Sequence, residues 1–365
     1  STGPTFCRSS LKSKPQAFFT YSSIEATEDL WLDRSKNSIQ VDESVLDANP
    51  WKLTTDFEFM KFIVWLDSNS VKLSDFVEPF NGIQTSAERR RNYWFLDREI
   101  CAMDEGSITF SRDDRNWTIE RAILRRYFKP TEEHGFNSYS DLECDKWMIF
   151  PYDAEGRLIP IAEMECDYPG AWAYLNSQKE DLWPRQLEGN GTRDVPNSTP
   201  ETWYQYGRTQ ALSSFNGTEK IIVGILSDEP LYFIDRDNWL IASGGTAGYC
   251  GLRLRSECPY ALEYIQAWLS NEITERYFDL IGSDFEGGFK SRGTSLLNVL
   301  PFIELDFSDS AQASLHEKVV RLSKRVQSDN CKLRESLSHR ERTVVERDKD
   351  ESIKEISDLI KQVYY

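Results

Sequence analysis

From Phe302 to Tyr365 the chain contains neither glycine nor proline. A run of this length without either residue has nothing to break a helix. Within it Leu315, Val319, Leu322, Val326, Leu333, Leu337 and Val344 recur at steps of three, four or seven, and Ile353, Ile356, Ile360 and Val363 resume the rhythm. That period lays an apolar seam along one side of a helix, with charged residues between. Residues 309–365 are therefore expected to form a long helical hairpin or a coiled-coil arm. A helix packed on its own domain is the alternative reading, and the same seam offers a route to self-association.

The remainder reads as a mixture of strands and helices. Residues 1–70 form an α/β lead-in, in which Phe59, Phe62, Ile63 and Leu66 take helical spacing over 58–68. Over 72–96 apolar and polar residues alternate, break at Asn81-Gly82 and end in a strand over 93–96. The run NWTIERAILRRYFKP is expected to be a helix or turn stopped by Pro130. Strands are predicted at 146–152, 157–161, 220–226, 231–235 and 238–243, helices at 169–185 and 260–281, and a loop at 186–202. The fold class is thus mixed α/β, of the α+β type. A mixed twisted sheet with flanking helices occupies 71–308, between the lead-in and the helical arm.

The formal charge is −17, unevenly spread. Residues 132–188 carry thirteen acids against four bases, whereas 112–129 carries six bases against three acids and 312–365 twelve against ten. Global acidity therefore leaves room for a locally basic groove, while arguing against a surface uniformly attractive to nucleic acid. The seven cysteines are scattered, without a CxxC, and only three histidines are present, at 134, 316 and 339. No metal site is expected from that set. Reduced, mostly buried cysteines point to a cytoplasmic protein. No apolar run approaches a membrane span. The opening STGPTFCRSS has neither a Met nor an apolar core, and is read as a processed or truncated chain without a signal peptide.

Catalytic signatures are missing. A nucleophilic triad needs a base, normally His, and the three here sit in a polar loop and the charged tail. There is no P-loop and no GxGxxG after a strand. The cluster at 244–248 reads as a tight turn, or as a loop that lets a phosphate approach the backbone. Glu163, Glu165 and Asp167 alternate, which would put them on one strand face, solvated rather than metal-binding.

What stands out instead is a set of basic and amide residues in Gly-containing loops between strands. Gln84, Thr85, Arg89, Arg90 and Arg91 form one group, Arg208 and Gln210 with Lys220 another, and Lys290, Arg292 and Thr294 a third. Arg125, Arg126 and Lys129 could line a phosphate track. Guanidinium and amide side chains read base edges, and cations hold phosphates. These fourteen residues are the candidate DNA contacts, and no catalytic or metal-binding residue is expected.

The order of these pieces resembles the TaqI-like C-terminal specificity domain, the target-recognition domain of adenine-specific DNA methyltransferases in restriction–modification systems. KLSDFVEPFNGIQTSAERRRNYWFL is similar to its opening strand and GIQT turn, and ILRRYFKPTE to the segment before a short strand. YPGAWAYLNSQKEDLWPR is similar to its YP…YL…K helix, WYQYGRTQALSSFNGTEKIIV to its W…GR.Q…KI segment, and GGFKSRGTSLLNVLPF and EISDLIKQVYY to its closing pieces. The resemblance covers roughly 70–365. Arg126 stands where the family often has Pro, and Thr131-Glu132-Glu133 replaces its Gly-Lys-Asp. The Asn-Pro-Pro-Tyr motif and the Gly-rich S-adenosylmethionine loop of the family's catalytic region are not in this sequence. The resemblance thus implies a recognition half that binds double-stranded DNA while a methyltransferase domain or subunit, holding S-adenosylmethionine, flips and methylates the adenine. Two other classes compete: an acidic protein-interaction or DNA-mimic module that occupies a partner's basic groove, and a free-standing nuclease.

Overall fold

In the computed structural model, residues 18–22, 38–42, 56–87, 91–129, 139, 143–209, 211–217, 219–227, 230–243, 248–282 and 290–364 are described. Strands β1 (Phe18–Ser22) and β2 (Ser38–Asp42) pair antiparallel with each other. Helix α1 (Phe57–Asn69) follows, its first turn capped by the Asp56 carboxylate, which accepts from the Phe59 amide at 3.0 Å. Phe59, Ile63 and Leu66 face inward, as their spacing predicts. Next come β3 (Val71–Lys72), β4 (Val77–Asn81), β5 (Trp94–Leu96) and β6 (Ile100–Met103).

The run from Asn116 to Lys129, expected as a helix or turn, is mostly strand. Strands β7 (Ser107–Arg112) and β8 (Arg115–Glu120) form a hairpin closed by Asp113 and Asp114, both at positive φ of 53° and 57°. This two-residue connection matches the twist of paired strands. A single helical turn then leads into β9 (Leu124–Phe128). Trp117, Thr118, Ile119, Tyr127 and Phe128, β-branched or aromatic, favour the pleat and override the helical spacing.

Strand β10 (Lys146–Ile149) precedes helices α2 (Ile161–Asp167), α3 (Pro169–Ser177) and α4 (Lys179–Leu182). Glu163, Glu165 and Asp167 therefore lie on α2 rather than on a strand face, because Pro160 ends the extended run and starts the helix. Pro169 opens α3, and the Glu120 carboxylate accepts from the Gly170 and Ala171 amides at 2.8 and 3.0 Å. Strands β11 (Lys220–Gly224), β12 (Leu226–Ser227), β13 (Tyr232–Asp235), β14 (Leu240–Ile241) and β15 (Tyr249–Leu254) follow. The expected 260–281 helix is two: α5 (Leu262–Leu269) and α6 (Glu272–Ile281). Asn271 separates them, and its side chain caps α6 from the Ile273 amide at 3.0 Å. After β16 (Lys290–Ser291), α7 (Thr294–Leu297) and β17 (Pro301–Phe302), the tail forms α8 (Ser310–Leu333) and α9 (His339–Gln362). Ser338 and Glu341 make a reciprocal capping box that starts α9.

Two four-stranded sheets organise the molecule. One has the order β14-β9-β10-β5, with β14 parallel to β9 and the other pairs antiparallel, so it is mixed. The other is antiparallel, β13-β11-β15-β4. Every residue of β11 is buried because both faces of its sheet are covered. Ile221 and Val223 join a core with α1, α5, α6 and the tail hairpin. Ile222, with Phe80 from β4, joins a second core with the mixed sheet and α3. Gly251 of β15 has no room for a side chain, because the Phe80 ring lies directly over it. The α8–α9 pair is a hairpin, and Val319, Leu322, Val326, Ile356 and Ile360 of its seam are buried against α5 and its neighbours. Val344, near the hairpin's tip, remains exposed.

Candidate functional site

The chain brings several strand ends to one edge of the mixed sheet. Ile83 bridges to Ala242 in parallel, and the Ala242 amide donates to the Phe128 carbonyl at 3.1 Å. The Ser243 amide donates to the Ile83 carbonyl at 2.8 Å, and the Arg208 amide to the Gln84 carbonyl at 3.0 Å. Phe128–Lys129, Ala242–Ser243, Ile83–Gln84 and Arg208 therefore lie side by side, although up to about 160 residues separate them in sequence (Ile83 to Ser243). Two glycines make this approach possible. A methyl on Gly82 would stand 2.7 Å from the Ile241 carbonyl oxygen and the Ala242 backbone, and one on Gly207 would overlap Ser86.

At this edge the Gln84 side chain is exposed, and Thr85 is buried, its hydroxyl accepting from the Ala87 amide at 3.2 Å. The Arg208 guanidinium, half-exposed, donates to Asp194 at 2.9 Å. Asp194 is held below its ordinary carboxylate value by Arg208 first, then by Gln186 and Arg185. Thr294 reaches toward the same turn, its hydroxyl 3.5 Å from Asn81 Oδ1. Arg91 pairs with Glu99 at 3.1 Å and lies over Trp94. Lys129 also lies over the Trp94 ring.

An open cleft of about 1030 Å³ runs along β9 and β10, at the opening ends of β9 and β14 rather than at this edge. Arg121, Arg125 and Arg126 line it with Trp147 and Trp239. Arg126 is tied to Asp97 at 2.7 Å and stacks on Trp147 with its guanidinium carbon 4.1 Å from the ring centre. Arg125 donates to the Phe215 carbonyl at 2.8 Å and Asn216 Oδ1 at 3.4 Å, and burial lowers its guanidinium below the ordinary value. Burial first of all pushes the Cys144 thiol in this cleft up to about 12, so it is a neutral thiol and no ready nucleophile.

Besides Thr85, two expected contacts lie inside the protein. Lys220 is 0% exposed and ion-paired with Asp235, which also accepts from the Trp239 amide at 2.8 Å. Arg292, likewise 0% exposed, donates to both oxygens of Glu275 and to the Ser227 carbonyl and hydroxyl. Arg292 reads as a loop cation and Lys220 as the first residue of a strand after a loop, and each sits on or beside a strand packed against α6 or β13, where a partner carboxylate neutralises it. Lys290 pairs with Asp279 at 2.5 Å on the same side. Gln84 and Arg208 are thus brought together, and Arg292 faces the interior instead. Arg89, Arg90 and Gln210 lie outside the described residues, as do residues 244–247 of the glycine cluster. Sequence reading missed Arg121, Asn216, Trp147, Asn238 and Trp239. Of these only Arg121 carried a signal, as a member of the basic 112–129 run. Among the described residues no group of three or more His, Cys, Asp and Glu is placed to hold a metal ion, and no helix is long and apolar enough to cross a membrane.

The chain has a large relative. Over 302 residues it is 32% identical to the type II restriction enzyme and methyltransferase RM.Eco57I of Escherichia coli. The match covers 79% of this chain and 29% of that protein, so the chain spans less than a third of its relative's length. No protein-family model matches.

Proposed function

We propose that this chain is the DNA sequence-recognition portion of a restriction–modification or phage-defence adenine-specific DNA methyltransferase. It holds duplex DNA and presents the target base to a methyltransferase domain or subunit outside this sequence, and S-adenosylmethionine chemistry belongs to that other part. The observation that carries the reading is the meeting of Gln84 and Arg208 at one sheet edge, with Lys129 at the end of a neighbouring strand. An amide and a guanidinium side by side match the donor and acceptor patterns of base edges, while the flanking cations match phosphates. Asp194 presets the Arg208 guanidinium, and so exposed a pair is readily released. The acidic segment meets the catalytic partner, while Glu143 and Asp145 of it line the cleft in ion pairs with Arg334 and Lys146.

Fluorescence anisotropy with duplexes of varied sequence tests this. Binding should weaken steeply as salt rises. Arg208→Ala should cost about 1–3 kcal/mol on the preferred duplex and flatten discrimination among sequences. Lys129→Ala should weaken all duplexes alike and lower the salt slope by about one. Retention of a basic protein with no duplex binding at any salt would favour the acidic interaction module instead, a reading supported by the charge of −17.

A further inference from the structure

The guanidiniums at the sheet edge do not end with Arg208. The loop after α4 doubles back on itself: Pro184 bridges to Arg193 in parallel, and the Arg185 amide donates to the Arg193 carbonyl at 2.9 Å. A methyl on Gly191 would overlap the Pro184 carbonyl, so glycine lets the two passes of this loop lie so close. Arg193 is 4% exposed and points inward. It donates through Nη1 to the Tyr93 hydroxyl at 2.7 Å and through Nη2 to the Gln205 carbonyl. The loop is thereby tied to the segment that carries Arg208.

Asp194, the next residue, gathers three side chains. Arg185 Nη2 and Gln186 Nε2 each lie 2.7 Å from its Oδ1, and Arg208 Nη2 lies 2.9 Å from its Oδ2. Gln186 is engaged at both ends, since its Oε1 accepts from the Val195 amide at 3.0 Å. The two guanidiniums differ in how they are held. Arg208 also donates through Nη1 to the Gly207 carbonyl at 2.7 Å and the Asp194 carbonyl at 3.4 Å, which fixes it on two sides. The Arg185 side chain is 61% exposed and touches Asp194 through Nη2 alone, so most of its donors have no protein partner among the described residues. Arg193 has no acidic partner among the described residues, and Glu188, exposed beside Trp183, is the loop's other acid. Arg185, Arg193 and Arg208 thus outnumber Asp194 and Glu188. A guanidinium held on two sides suits a base edge, which demands fixed donors. A long, exposed guanidinium with open donors suits a phosphate, which accepts from many directions.

We propose that Arg185 holds a backbone phosphate of the duplex whose base edge meets Gln84 and Arg208, with Asp194 keeping the two guanidiniums at a fixed separation. The inference rests on the duplex-binding reading. In the free protein the Asp194 carboxylate restrains Arg185, and its negative charge opposes an approaching backbone. The full chain is measured by fluorescence anisotropy over a range of salt, on the duplex it prefers from a randomised pool and on duplexes of unrelated sequence. Arg185→Ala should weaken every duplex alike, about fivefold at moderate salt, and lower the salt slope by about one. Arg185→Lys keeps the charge and should restore most of the affinity and the slope. Because the side chain is exposed, neither change should move the melting temperature by more than about two degrees. Asp194→Asn should tighten binding to unrelated duplexes about twofold and shrink the preference, since Arg208 loses its fixed orientation while the backbone meets less negative charge. Parental affinity and slope in Arg185→Ala would mark an inert surface pair, overturning the proposal and leaving the duplex-binding reading intact. Lost sequence preference at an unchanged slope would put Arg185 on a base edge and overturn it as well. Parental affinity and preference in Asp194→Asn would overturn the role given to Asp194. If the parent chain binds no duplex at any salt, the duplex-binding reading and this inference fall together.

Discussion

Arg292 is where loop chemistry and packing disagree most sharply, and its removal separates them. The side chain is 0% exposed, with Nη2 2.6 Å from Glu275 Oε2, Nε within 3.2 Å of both carboxylate oxygens, and Nη1 3.0 Å from the Ser227 carbonyl. Arg292→Ala strands a largely buried carboxylate and leaves the Ser227 carbonyl without its side-chain donor. Breaking one partner of a buried pair costs about 3–5 kcal/mol. With a urea slope of about 3 kcal/mol per molar, the midpoint should fall by more than 1 M. Removing both charges in Arg292→Met with Glu275→Gln should recover more than half the loss, because the Tyr232 hydroxyl keeps an acceptor at the Glu275 position, now 2.9 Å away. Duplex affinity, measured where the variant is fully folded, should stay within twofold of the parent. An unshifted midpoint together with weakened duplex binding would refute this account and return Arg292 to the DNA surface.

Three further outcomes follow from the geometry. Gly251→Ala forces a methyl into the Phe80 ring and should cost about 1–3 kcal/mol in chemical denaturation, with part of the loss recovered by Phe80→Leu. Gly82→Ala meets backbone rather than a movable side chain, so it should loosen the turn that carries Gln84 and weaken duplex binding as well as stability. Burial holds the His316 imidazole, whose Nε2 accepts from the Ala261 amide at 3.2 Å, below its ordinary 6.5 despite Glu317 and Glu263 nearby. The unfolded chain therefore takes the proton first, so stability present above pH 6.5 should drain away below it. His316→Gln should flatten that part of a stability–pH curve, and an unchanged slope would show that other groups set it.

Much of the architecture could be read from residue spacing. The tail hairpin, α1, the β11 and β13 strands and the α+β class follow from apolar period and from glycine and proline placement. The run after Asn116, expected as helix or turn, could not, because its pairing as a strand turns on whether Asp113-Asp114 accepts two positive φ values, a matter of hairpin twist. The α5–α6 break hid for a similar reason: Ser270 and Asn271 are compatible with helix until Asn271 finds Ser357 of α9 and caps the next turn. At the candidate site, the pairing of Gln84 with Arg208 depends on contacts across more than a hundred residues, which loop composition hints at but cannot order. Lys220 and Arg292 were misleading because a cation in a Gly- and Ser-rich loop looks the same whether it meets solvent or a buried acid. Asn216 and Asn238 carried no signal, since a polar residue in a turn is the expectation everywhere.

Because β11 turns alternate side chains into two different interiors, the halves of this molecule are not interchangeable parts. Replacing either lobe with a counterpart from a relative would set half of one ribbon against unfamiliar neighbours. Variation that spares the fold is therefore steered toward the exposed strand ends, while the shared ribbon and its two linings must change in concert or stay as they are.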